Sequence, residues 1–163
     1  MPDRKLEQGE GYWPKQIAEL EKRRAEAAKM GGEDNVARQH KAGRLTVRER
    51  ITAISDDGSF REVGTLAGTG TYDDNLKLKG VTPATYVAGL AKIDDRSVAV
   101  GGEDFTVRGG TSFGAQRRKG GQGGYIEDLA HHYKIPLVNL IDGAGGSVTS
   151  AKRRGFVVFP GVD

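Results

Sequence analysis

The stretch "IPLVNLIDGAGGSVTSAKRRGF", residues 135–156, sets an apolar run directly against four small residues, Gly143 to Gly146, entered through Asp142. Both parities of Ile135–Ile141 are apolar apart from Asn139, the pattern of a strand covered on both faces as in a parallel sheet. Just upstream, YIEDLAHHY (125–133) spaces Ile126, Leu129 and Ala130 at helical intervals. Glycines at 120, 121, 123 and 124 bar an earlier helix start, since each costs about 1 kcal/mol against alanine. Downstream, Phe156–Phe159 repeats the buried-strand pattern. Helix, buried strand, glycine loop, segment and buried strand together predict an α/β fold.

Ligands of parallel α/β sheets bind beyond the carboxyl ends of the strands, which is where residues 142–146 fall. Small side chains leave amide N–H groups bare, and two amides aimed at one point can stabilise a developing oxyanion. A tight strand-to-helix turn accounts for the same glycines, so the loop alone leaves both readings open. A dinucleotide fingerprint fits less well. Gly143, Ala144 and Gly145 begin G-x-G-x-x-G, but Val148 stands at the third glycine position.

Working back from this segment, residues 13–30 read as a charged helix with Pro14 in its first turn and Gly31-Gly32 ending it. Its apolar stripe, Ile17, Leu20, Ala27 and Ala28, is thin, as in a helix lying on a larger body. A second helix is predicted from Asp34, as its cap, to Lys41. Thr46 to Glu49 fits a capping box, and Val47, Ile51 and Ile54 share one face of a short helix over 47–54. Strands are expected at Arg61–Ala67, Ala84–Ile93 and Ser97–Phe105, with a mobile polar loop over 69–80. These signals divide the chain into a helical extension, 1–55, and an α/β part, 56–163.

Composition narrows the chemistry. Glycine makes up 25 of the 163 residues, about 15% against a usual ~7%, which suggests tight turns and backbone close to ligand. Cysteine is absent, which excludes disulfides, thiolate zinc sites and a cysteine nucleophile. No apolar run reaches the ~20 residues of a membrane helix, and MPDRKLEQGEGYW resembles neither a signal nor a transit peptide, so a cytoplasmic location is expected. His40, His131 and His132 lack the spaced partners a metal needs, so no metal site is expected. Ser112, Ser147 and Ser150 lack a nucleophile elbow. Residues 105–163 hold eight basic and four acidic groups. Within them Arg117, Arg118 and Lys119, and Lys152, Arg153 and Arg154, each lie beside glycine-rich sequence and are candidates for phosphate. An RNA-binding reading of RRKGGQGGY rests on a single aromatic in a chain of net charge +3.

Four stretches occur in the order and spacing of a known family: RQHKAGRLTVRERI (38–51), DDGSFREVG (56–64), VGGEDFTVRGGTSFG (100–114) and IPLVNLIDGAGGSV (135–148). From about residue 17 onward the chain resembles the carboxyltransferase (β) subunit of biotin-dependent acyl-CoA carboxylases, the propionyl-CoA carboxylase β type. The resemblance implies a crotonase-like (ClpP/crotonase) ββα superhelix, an incomplete N-terminal domain preceded by a helical extension. It implies a carboxyl group moved from carboxybiotin to the α-carbon of an acyl-CoA. Amides of Ala144, Gly145 and Gly146 would hold the enolate oxygen, and Gly143, Gly114, Arg117, Arg118 and Lys119 would contact acyl-CoA. With the biotin nitrogen as proton acceptor no side-chain base is required, in keeping with the missing His or carboxylate pair.

Many members read DSGGARIQEG at the loop, whereas this chain reads DGAGGSVTSA (142–151), and RRKGGQGGYIEDLA replaces a more regular helical segment. The partners implied are acyl-CoA, a biotin carboxyl carrier and biotin carboxylase subunit, and further copies of the chain, with biotin carried on a partner and neither nucleic acid nor membrane. Because family subunits are much longer, the chain reads as an N-terminal fragment without turnover of its own. A decarboxylase of the same fold and a non-catalytic CoA-binding or assembly module are the alternatives.

Overall fold

The computed structural model describes residues 13–110 and 124–142. Three helices lead, α1 (Pro14–Ala28), α2 (Glu33–Lys41) and α3 (Val47–Ile54). Strands β1 (Arg61–Val63), β2 (Gly68–Tyr72), β3 (Leu78–Pro83), β4 (Tyr86–Ile93) and β5 (Arg96–Glu103) follow. A 3-10 turn at Arg108–Gly110, helix α4 (Tyr125–Tyr133) and strand β6 (Leu137–Leu140) complete the described residues.

Strands β1, β4, β5 and β6 form one sheet in that order. β1 and β5 run antiparallel to β4, whereas β6 runs parallel to β5 and is reached through α4. The sheet is therefore mixed, with β5 and β6 as its parallel pair. The β4–β5 turn places Asp94 and Asp95 at φ 49° and 61°, the left-handed region a two-residue hairpin turn demands. Asp56 braces it, its carboxylate accepting the amide protons of Asp94 at 3.0 Å and Asp95 at 2.9 Å.

Alternation along β4 and β5 builds a core on each face. On one face Val87, Ala91, Val98 and Val100 pack with Val47 and Ile51 of α3. On the other, Tyr86, Ala88 and Ala99 pack with Ile126 and Ala130 of α4. Gly101 and Gly102 let these layers close on the sheet. A Cβ at 101 would lie 2.6 Å from the Tyr86 ring, and one at 102 would lie 2.8 Å from Val47 Cγ2. The α3 capping box is present, with Glu49 N–H donating to Thr46 Oγ1 and Thr46 N–H donating to Glu49 Oε2 at 2.7 Å.

Three expectations change. Residues 69–80 are not a loop: most belong to β2 and β3, a separate two-stranded antiparallel sheet. The polar run between them is its turn, where Asp73 Oδ1 accepts from the amides of Asn75 and Lys77, each at 2.9 Å. Asp34 does not cap α2; Gly32 takes that place, at φ 87°, and Asp34 lies in the first turn. Strand β6 is covered less than predicted, with Val138 and Leu140 half-buried while Leu137, Asn139 and Ile141 are exposed. Val138 and Leu140 face the α3 core, so the strand's apolar character serves one face of the described sheet.

Candidate site at the carboxyl ends of strands β5 and β6

The parallel register pairs Ala99 with Leu137 and Gly102 with Leu140, so both strands end at the same edge of the sheet. Backbone pairing stops there, and a side chain continues it. The Asp142 amide donates to Glu103 Oε2 at 2.7 Å, and the Asp142 carboxylate lies 3.6 Å from an Arg50 guanidinium nitrogen. Asp142 is thus held through both its main chain and its side chain at the entrance to the Gly143–Gly146 segment.

Beneath this edge the Tyr86 hydroxyl, on β4, donates to Asn139 Oδ1, on β6, at 2.6 Å. The ring crosses the intervening strand over Gly101, where no Cβ intrudes. Burial first, then the nearby Glu127 and Glu103 carboxylates, push the Tyr86 phenol well above its usual range. The hydroxyl therefore stays protonated and keeps its role as donor.

The segment after β5 is built on Asp104, whose side chain is enclosed by protein, with 1% of the residue exposed. Its carboxylate accepts from the Thr106 amide at 3.0 Å and from the Thr106 hydroxyl at 2.5 Å. Thr106 Oγ1 in turn accepts the Gly31 amide proton at 2.9 Å, tying the α1–α2 junction to this segment. Arg108, Gly109 and Gly110 then follow with φ of 52°, 64° and 72°, a succession of left-handed residues that turns the chain sharply.

The oxyanion candidates Ala144, Gly145 and Gly146, the acyl-CoA candidates Gly143, Gly114, Arg117, Arg118 and Lys119, and the second basic group, Lys152 to Arg154, all lie outside the described residues. Glu103, Arg50, Tyr86 and Thr106 were not singled out from sequence. Asn139 alone left a trace, as the one polar residue in an apolar run. His40 faces Glu49 at 2.9 Å, and His131 and His132 are exposed at the end of α4. Among the described residues no group of three or more His, Asp or Glu could hold a metal ion. The groove of about 360 Å³ between α1 and the β2–β3 hairpin is lined by residues such as Leu20, Arg23, Leu66 and Tyr72, and by none from β5 or β6.

Residues 38–159 match the family described as the carboxyl transferase domain. The chain is 37% identical over 135 residues to the biotin-dependent acetyl-/propionyl-coenzyme A carboxylase beta5 subunit of Mycobacterium tuberculosis, covering 81% of this chain and 24% of that protein. It is 36% identical over 137 residues to the propionyl-CoA carboxylase beta chain of Cereibacter sphaeroides, again over 81% of this chain and 25% of the relative. Among solved structures it resembles transcarboxylase 12S, a hexamer crystallised with methylmalonyl-coenzyme A and methylmalonic acid, with 30% identity and a TM-score of 0.65. That likeness covers 80% of this chain and 25% of the other. The chain therefore spans about a quarter of the length of the relatives it matches.

Proposed function

Because the chain belongs to the carboxyl transferase domain family, which it matches over residues 38–159, we propose that it is the acyl-CoA-binding portion of a biotin-dependent carboxyltransferase. Its fold is the crotonase-like α/β fold of that family. In this reading the carboxyl group passes from carboxybiotin to the α-carbon of an acyl-CoA. Carboxybiotin, carried on a partner, supplies the carboxyl group and the nitrogen that takes the α-proton. The chain itself binds the thioester, orients its α-carbon and stabilises negative charge on the thioester oxygen through two amides among Ala144, Gly145 and Gly146.

The observation that carries this reading is the parallel β5–β6 edge with Asp142 fixed between Glu103 and Arg50. Asp142, the residue that precedes the glycines in sequence, is thereby held at the strand ends, where α/β sheets bind ligands. A backbone oxyanion site needs such anchoring, since preorganised dipoles stabilise charge only when they need not reorganise as it forms.

The same reading assigns Arg117, Arg118 and Lys119 to the CoA phosphates, with Gly114 and Gly143 close to the thioester arm. It brings a biotin carboxyl carrier, a biotin carboxylase subunit and further copies of the chain as partners, in the cytoplasm. Among the described residues no helix is long and apolar enough to cross a membrane.

Calorimetry of the holoenzyme with CoA, propionyl-CoA and a short RNA tests the proposal. Propionyl-CoA is expected to bind, RNA is not, and Gly145→Val is expected to abolish carboxyl transfer while Glu19→Gln on α1 leaves it unchanged. Absence of any CoA affinity overturns the reading.

A further inference from the structure

The ends of β5 and β6 carry an arrangement that the glycine segment alone does not require. We infer that Glu103 and Arg50 are positioning residues, a two-sided clamp on Asp142 that sets the direction in which the chain enters Gly143–Gly146. The inference rests on the reading of that segment as the oxyanion site.

The register shows what Glu103 adds. Main-chain pairing between β5 and β6 ends at Gly102 and Leu140. A strand end left unpaired there would fray, since a terminal amide held by no acceptor exchanges freely with water. The Glu103 carboxylate accepts the Asp142 amide at 2.7 Å, which supplies one further rung beyond the backbone ladder. A charged acceptor makes such a bond shorter and stronger than a neutral one. On the other side Arg50, from α3, lies 3.6 Å from the Asp142 carboxylate. Arg50 and Asp142 side chains are about a quarter exposed, 27% and 22%, so the pair is partly shielded from solvent.

α3 is itself fixed: its N-terminus by the capping box, its apolar face by Val47 and Ile51 in the core. Asp142 is therefore referred to two rigid elements at once, β5 through its amide and α3 through its carboxylate. A third residue cements the strand beneath: Asn139, held by the Tyr86 hydroxyl. None of these groups needs to touch the substrate. Their effect is to fix Asp142, which precedes the proposed oxyanion amides in sequence, and a displacement of 1 Å at a reacting centre can cost on the order of a hundredfold in rate.

Steady-state kinetics of the holoenzyme with propionyl-CoA tests the clamp. Glu103→Leu is expected to lower kcat on the order of tenfold to a hundredfold, while KM for propionyl-CoA changes by less than about threefold, because the loss falls on the transition state. Glu103→Gln keeps an acceptor oxygen and is expected to restore most of the rate. Arg50→Met is expected to lower kcat in the same way, and Arg50→Lys to recover it. A purely structural role would lower the melting temperature without this split or this rescue. If the Glu103→Leu chain does not fold, the Arg50 pair decides, and kcat unchanged in Arg50→Met overturns the clamp.

Amide hydrogen exchange at Asp142 provides a second readout that needs no turnover. Protection is expected in the wild type and in Glu103→Gln and is lost in Glu103→Leu. Equal exchange in all three overturns the clamp even where the wild type carries no carboxyl. A wild type that protects Asp142 yet neither binds nor carboxylates propionyl-CoA overturns the functional reading and leaves the clamp standing.

Discussion

Thr46 and Glu49 satisfy each other's backbone amides at the start of α3, and His40 adds a third contact to the same carboxylate at 2.9 Å. The His40 hydrogen bond first, then the Thr46 amide and hydroxyl, hold Glu49 down from 4.5 to about 2. A carboxylate lowered on folding stabilises the fold above its unfolded value and loses that contribution as pH falls through the folded one. Wild-type stability is therefore expected to fall between pH 4.5 and about 2. Urea unfolding across that range checks it, since Glu49→Gln is expected to flatten this part of the profile. Thr46→Ala removes the cap and is expected to cost about 1 kcal/mol at neutral pH. Gly31 is constrained differently. A Cβ there would sit 1.9 Å from the Thr106 carbonyl oxygen, on the segment that Asp104 organises. Gly31→Ala is expected to destabilise the chain by roughly 1–3 kcal/mol, the usual range for forced overpacking, read by thermal or urea unfolding. The capping box was legible because its partners stand three residues apart. Gly31 was not, since its partner is 75 residues away and sequence shows only a glycine pair ending a helix.

Strands were legible where runs of β-branched and small residues coincided with burial on both faces, as in β4 and β5. The β2–β3 hairpin escaped because its strands lie largely outside the two cores and are rich in glycine and threonine, which read as loop. Asp73 was the available signal, an aspartate whose side chain caps the amides two and four residues on. Strand β6 showed its type but not its exposure, because burial depends on neighbours that periodicity does not name. Tyr86 links β4 to β6 across β5, and this link has its own pH signature. A phenol raised on folding stabilises below about pH 10 and loses that contribution as the pH climbs above it. Tyr86→Phe is expected to cost about 1 kcal/mol at neutral pH through the lost bond to Asn139. It is also expected to lessen the loss of stability above pH 10, which unfolding measured from neutral to alkaline pH will show. Gly101→Ala drives a methyl into the same ring, 2.6 Å from its nearest atom, so its cost combined with Tyr86→Phe is expected to be non-additive.

At the scale of the whole molecule, the family was legible in order and spacing: four motifs in register name it, while no single glycine pattern does. The clamp around Asp142 was not legible, because Arg50, Glu103 and Asp142 come from three separated parts of the chain and meet only at the end of a parallel strand pair. Charge adds a further argument. Residues 105–163 carry eight basic and four acidic groups, an excess suited to an anionic ligand. CoA is such a ligand, with a pyrophosphate and a ribose phosphate remote from the thioester. If Arg117, Arg118 and Lys119 meet those phosphates, their contribution belongs to binding and not to the chemical step. Replacing all three with Gln is then expected to weaken propionyl-CoA, each lost charged contact costing about 1.5 kcal/mol or roughly tenfold. Propionyl-pantetheine, which has the thioester and no phosphate, is expected to react equally with both proteins. Rising salt is expected to weaken propionyl-CoA binding to the wild type more than to the triple variant, because screening removes only what the charges supplied. Affinity lost equally for CoA and pantetheine thioesters would instead place these residues beside the acyl chain, and the assignment to phosphate would fall.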